Sequence, residues 1–229
     1  MNGFCNTIKD NKMKKLIFAL VAIVCGVCST NAGEAQEDYC GDTNLSDCIS
    51  HFDKQCEANN YAACFVLGEL HYKQKQHSES KKYFEMVCDK ANSKSSFQVK
   101  LLDGSLSKKV PAIEAMQVAC SNLAKIYGTG KGVRQDKGKA LQYDKKACDL
   151  GEAQSCATAG FVYLFGDGTK IDYKLAKSYF EKSCEMQNFY GCSMLSVMYR
   201  DGKGVEQNLS KAKEYHDKAC NLGKIDCDE

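Results

Sequence analysis

Cysteine is the residue through which this chain could do chemistry. Fifteen occur in 229 residues, and thiols at that density form disulfides, ligate a metal or exchange electrons. Four pairs stand eight residues apart: Cys40/Cys48, Cys56/Cys64, Cys148/Cys156 and Cys184/Cys192. Cys88/Cys120 and Cys220/Cys227 continue the order with other spacings. Zinc knuckles need a tighter gap than this, which argues against a metal. Dithiol redox sites use Cys-x-x-Cys, and the one such stretch, CGVC at Cys25–Cys28, falls inside an apolar leader. Disulfides are the remaining chemistry.

The leader supports that choice. From Met13 the chain reads MKKLIFALVAIVCGVCSTNAGEAQ: two lysines, an apolar run, then small and polar residues. This is the pattern of a secretory signal peptide cut after Ala32, so residues 1–32 are expected to leave, with Met13 the true start. The run is too short for a membrane span of about 20 apolar residues. Val24 and Val27 precede Cys25 and Cys28 where a lipid-attachment site wants a small residue. Twelve cysteines then remain, an even number in an exported, oxidising setting. The mature chain carries 27 basic and 28 acidic residues once Lys9, Lys12, Lys14, Lys15 and Asp10 are removed. That balance leaves no basic footprint for nucleic acid.

The elements that hold the cysteines repeat. ALQYDKKACDLGEAQSC from Ala140, AKSYFEKSCEMQNFYGC from Ala176 and AKEYHDKACNLGKIDC from Ala212 start 36 residues apart. A fixed period of this length marks stacked helical hairpins. Ala140, Tyr143 and Ala147 recur at helical steps and define an inward stripe. After each second cysteine a small residue and a tyrosine recur, as in Ala159, Gly160 and Tyr163. Glycine pairs, Gly130/Gly132, Gly166/Gly168 and Gly202/Gly204, stop these helices, and Asp136, Asp172 and Asn208 are placed to cap the next ones. Each cysteine pair therefore flanks a short joint between antiparallel helices, where a disulfide would close a small loop. Such a loop contributes roughly 2.5 kcal/mol in the chain-entropy model. The expected fold is all-α: an α/α solenoid of disulfide-stapled hairpins over residues 33–229. Cys88 to Cys148 exceeds the period by 24 residues. The excess is an insertion at about 94–118, holding the single proline, Pro111.

The motif CSNLAKIYGTGKGVRQDKGKALQYDKKAC resembles the Sel-one-like repeat family, relatives of the tetratricopeptide repeats. The eight-residue cysteine pairs are similar to those of the Helicobacter cysteine-rich protein type. The resemblance covers roughly Cys40 to Cys227. It implies a secreted or periplasmic protein with a disulfide in each unit and a role in protein interaction. Penicillin binding and slow β-lactam hydrolysis are the alternative it implies.

No local motif supports an enzyme. Ser-x-x-Lys occurs at Ser78–Lys81 and Ser105–Lys108 without the downstream elements a serine β-lactamase requires. The histidines, His51, His71, His77 and His216, are scattered and read as surface or packing residues, and GTGKG at 128–132 is a structural turn. Groove candidates lie two and five residues beyond the second cysteines: Asn122, Lys125, Thr158, Phe161, Met194 and Val197. Phe161, Met194 and Val197 are apolar where a solvent face would be polar; packing on the next helix and a ligand groove both explain them. The expected function is an exported, monomeric protein- or peptide-interaction module without cofactor, metal, catalytic residue or mature membrane span. A β-lactam or cell-wall-like small molecule is the alternative ligand.

Overall fold

A computed structural model describes residues 44–101, 107 and 109–223. Cys40, Cys227, Ser105 and the leader lie outside the described residues. The helices are α1 (Leu45–Glu57), α2 (Tyr61–Lys73), α3 (His77–Glu85), α4 (Ala112–Thr129) and α5 (Lys137–Asp149). They continue with α6 (Ala153–Phe165), α7 (Tyr173–Glu185), α8 (Phe189–Asp201) and α9 (Leu209–Gly223). The fold is the all-α, α/α solenoid type, built of disulfide-stapled hairpins. It divides into two compact units, one up to Ala119 and one from Cys120.

Three residues separate α1 from α2, α5 from α6 and α7 from α8, and they follow one plan. Asn59, Gly151 and Gln187 take left-handed φ values of 62°, 98° and 61°. The N–H of the following residue reaches back five positions: Asn60 to Gln55, Glu152 to Ala147 and Asn188 to Ser183, at 2.9–3.0 Å. The left-handed residue itself bonds back to Cys56, Cys148 or Cys184, also at 2.9–3.0 Å. This pair of bonds is a Schellman stop, which satisfies carbonyls the helix end would orphan. The side chains of Asn60, Glu152 and Asn188 then cap the next helix. One cysteine thus sits a turn before the stop and its partner a turn into the new helix. Their Cα atoms stand 4.8 Å apart for Cys56–Cys64, and 4.7 Å for both Cys148–Cys156 and Cys184–Cys192. That separation lies within the range a disulfide spans. Cys48, Cys88, Cys120 and Cys220 are also half-cystines.

From α4 onward the connection between hairpins is the glycine turn; between α2 and α3 it is Gln74–Gln76, with Lys75 left-handed at φ 61°. Gly166 and Gly202 end α6 and α8 in left-handed conformation, at φ 72° and 67°. Asp136, Asp172 and Asn208 each accept an N–H three residues on at 2.9 Å, capping α5, α7 and α9. Consecutive helices then register through stacked rings. Tyr127–Tyr143, Tyr163–Tyr179 and Tyr199–Tyr215 lie nearly parallel, with centroids 5.7–5.8 Å apart. Deeper in the packing a second ring enters a notch. A Cβ on Gly68 or Gly160 would fall 2.6 Å from the ring of Phe84 or Phe180. Both rings are fully buried.

The insertion is fastened within the first unit. Ser96–Phe97 pairs antiparallel with Val110–Pro111, and Phe97 and Val99 are buried. Gln55 bonds both backbone groups of Lys100 at 2.8 Å, as a neighbouring strand would. Asn60 donates to the Gln98 carbonyl at 2.9 Å. Residues 112–118, assigned to the insertion by the period, are the first turns of α4. Ala112 and Ala115 are buried there, so apolar spacing extends the helix backward from its expected start.

The ring-in-notch packing predicts opposite outcomes for two glycines. Gly160→Ala forces Phe180 to move and is expected to lower stability by about 1–3 kcal/mol. Gly128→Ala meets only the Ala140 Cβ at 3.5 Å, and is expected to be neutral or stabilising by up to about 1 kcal/mol. Urea unfolding of the two variants measures the contrast.

Candidate functional site

Equivalent positions of α4–α5 and α6–α7 lie 36 residues apart, and four of them change character. Lys125, Gly128, Asp144 and Thr158 stand where Phe161, Leu164, Phe180 and Met194 stand one period later. In the later repeat those apolar side chains close a dry cluster. Phe161 meets Phe180 edge-to-face at 5.4 Å, and Met194 packs against the same core. In the earlier repeat there is no ring to fill the space, and Ala124 replaces the notch glycine. A pocket of about 260 Å³ remains. α4 lines it with Lys125 and Gly128, α5 with Leu141 and Asp144, and α6 with Ser155 and Thr158.

Asp144 dominates its chemistry. The residue is 7% exposed, and burial pushes its carboxyl up to about 7. The Ser155 hydroxyl donating to it and the positive charge of Lys125 pull the other way, while Glu152 pushes further up. Burial prevails because Lys125 is exposed and its field is weakened by water. At the rim Lys137 is ion-paired with Asp167. No histidine lines the pocket, so Ser155 has no imidazole to activate it as a nucleophile. The arrangement can accept a proton, a hydrogen-bond donor or a cation. Among the described residues no group of three or more His, Cys, Asp or Glu could hold a metal.

The groove candidates separate into three sets. Lys125 and Thr158 line the pocket. Phe161 and Met194 pack on the core cluster, and Val197 is half-buried on α8. Asn122 is buried on α4. Asp144, the residue at the centre, is missed by a search confined to the helix after each second cysteine. Its signal is the replacement of an aromatic residue when the repeats are aligned. His71 is a packing residue: it stacks on Tyr83 with centroids 5.4 Å apart and bonds Gln76 at 2.6 Å. Among the described residues nothing supports the β-lactam alternative. Ser78 is exposed on α3, and Lys81 engages Glu85 at 3.7 Å rather than serving that serine.

Comparison with known proteins completes the picture. The family model described as Sel1 repeat matches residues 117–152, 153–188 and 189–224. Over these residues the chain is a Sel1 repeat protein. A solved Sel1 repeat protein from Oxalobacter formigenes is similar at 19% identity and TM-score 0.61, covering 78% of this chain and 65% of its own. A protective antigen of uropathogenic Escherichia coli with an SLR fold is similar at 23% identity and TM-score 0.60. That match covers 79% of this chain and 34% of the antigen, so the chain spans about a third of its length. Both likenesses establish the fold. Helicobacter pylori cysteine-rich protein B shares 33% identity over 49% of this chain and 86% of its own, at TM-score 0.39. Among curated proteins none matches by sequence. Sel1 repeats are typically protein-interaction modules, and no described helix is long and apolar enough to cross a membrane.

In this Sel1 protein the buried carboxyl makes stability pH-dependent. Its folded value lies above the unfolded one, so the folded state binds the proton more tightly and stability falls as pH rises from about 4 to about 7. Asp144→Asn is expected to be the more stable form above neutrality, by at most about 4 kcal/mol, with the gap shrinking toward about pH 4. Urea midpoints across that range read the effect; a gap independent of pH would refute it.

Proposed function

We propose that the chain is an exported, disulfide-stapled module that recognises a protein partner through an extended peptide segment. The observation that carries this reading is a continuous stripe on α6. Ser155, Thr158, Val162 and Phe165 lie three or four residues apart, so they share one helix face. The first three line the pocket. Phe165 continues the stripe into solvent at 65% exposure and stacks on Phe161 at 6.2 Å. Ile171 and Leu175, 55% and 41% exposed, follow in the adjoining turn and at the start of α7. A pocket that sets charged and hydroxyl groups in a mostly apolar lining and runs into exposed apolar groups suits a peptide with alternating anchors, as in groove-type peptide recognition. Export is supported by the buried half-cystines, which need an oxidising compartment to form, and by the leader pattern of residues 13–32.

Selection of a displayed random-peptide library on the oxidised protein tests the reading. Enriched peptides are expected to bind the native chain with micromolar affinity and to lose at least tenfold, about 1.4 kcal/mol, with Phe165→Ser. Failure of any sequence to enrich, or equal binding to the reduced and unfolded chain, would contradict it.

A further inference from the structure

Two of the four equivalent places lack the aromatic plug, Ala124/Asp144 and Ser196/His216, and the pocket lies at the first. Phe84 and Phe180 each fill the notch beside a glycine, Gly68 or Gly160. At the equivalent place the pair is Ala124 and Asp144. A smaller apolar residue would also have left a void, and a void lined by hydrocarbon stays dry. A carboxyl is a costly choice, since burying it without a full set of partners opposes folding. The Ser155 hydroxyl donates to Asp144; a carboxylate accepts more hydrogen bonds than one donor supplies, so a ligand donor entering the open pocket adds to that set.

The surrounding charges select the sign of that ligand. On α5 Asp144 faces inward; on α4 Lys125 stands at the rim; Glu152 caps α6; Lys137 and Asp167 pair with each other. With that ion pair set aside, two carboxylates face one lysine. Ser121, Thr129, Gln154 and Thr158 add neutral oxygens to the wall. These groups offer many acceptors within a space that takes a long, slender side chain. We propose that the pocket beside Asp144 is the anchor subsite for a basic side chain, arginine or lysine, of the bound peptide. This rests on the reading of the chain as a peptide-binding module and specifies which residue the peptide must present.

Two consequences follow from the chemistry. A guanidinium or ammonium beside Asp144 favours the ionised carboxylate, so binding releases a proton and strengthens as pH rises through neutrality. Lys125 opposes the ligand from the rim, so its removal strengthens binding. A cation produces both strongly; a neutral donor of the same shape favours the carboxylate only through its hydrogen bond, a smaller effect, and is indifferent to the charge of Lys125.

The test uses the oxidised full chain, labelled with carboxyl-¹³C aspartate, and two probes. One is Ac-Gly-Arg-Gly-NH2; the other replaces arginine by citrulline, its uncharged isostere. The arginine peptide is expected to move the Asp144 titration midpoint down by about one pH unit. Its affinity should rise about fivefold between about pH 6 and about pH 8. The citrulline peptide should show only a small fraction of either effect. Asp144→Asn and the plug-restoring Ala124→Gly/Asp144→Phe are both expected to abolish the effect, the second with the fold reinforced. Equal binding of the two peptides would overturn the subsite, as would an unmoved Asp144 at millimolar arginine peptide. Peptide-induced shifts confined to residues around Phe165 would also overturn it while leaving peptide recognition intact, because the displayed-peptide result is read at Phe165, which does not line this pocket.

Discussion

Three residues separate the two helices of a hairpin, and across that gap two cysteine Cα atoms stand 4.7–4.8 Å apart. The spacing is a consequence of the Schellman stop. A left-handed residue at Asn59, Gly151 or Gln187 folds the backbone back while the next residue caps the new helix. Two of those three residues carry a side chain in a conformation that disfavours it, at a cost of roughly 1 kcal/mol each. The covalent link offsets that cost by roughly 2.5 kcal/mol per joint in the chain-entropy model. Each hairpin is fixed at its tip before it meets its neighbour. A solenoid lacks a central core, so this local closure matters more here than in a globular domain.

With the tips fixed, contact between consecutive hairpins is made by rings. The tyrosine stacks set the register on one side, and the phenylalanine in its glycine notch closes the other. The tyrosine stack repeats with the period; the notch is filled by Phe84 and Phe180 and is left without a ring at Asp144 and His216. Function enters where the second device is abandoned. At Asp144 a repeat gives up about one buried ring and takes on a buried carboxyl, losing stability on both counts. The neighbouring units remain plugged, so a single repeat can carry the defect without loss of the fold.

Much of the scaffold is readable from residue spacing. The pairs Cys56/Cys64, Cys148/Cys156 and Cys184/Cys192, the glycine turns and the caps Asp136, Asp172 and Asn208 are local features, and each occupies the place its spacing implies. The pocket is not local. It is assembled from three helices, and its decisive residue lies on the helix before the joint, outside the face the spacing singled out. Aligning YDKKAC at 143–148 with YFEKSC at 179–184 exposes Asp144 opposite Phe180, once one asks what the ring does. The insertion resists a reading from pattern for another reason. It is held by side chains of Gln55 and Asn60 bonding to its backbone, and such bonds leave no periodic trace.

The staples are the foundation of this structure, and their connectivity can be read directly. Protease digestion of the native chain without reduction, followed by mass spectrometry, reports which sulfurs are joined. The expected linked peptides hold Cys56 with Cys64, Cys148 with Cys156, and Cys184 with Cys192. Free thiols at these positions, or a link from one hairpin to the next, would contradict the covalently closed joint.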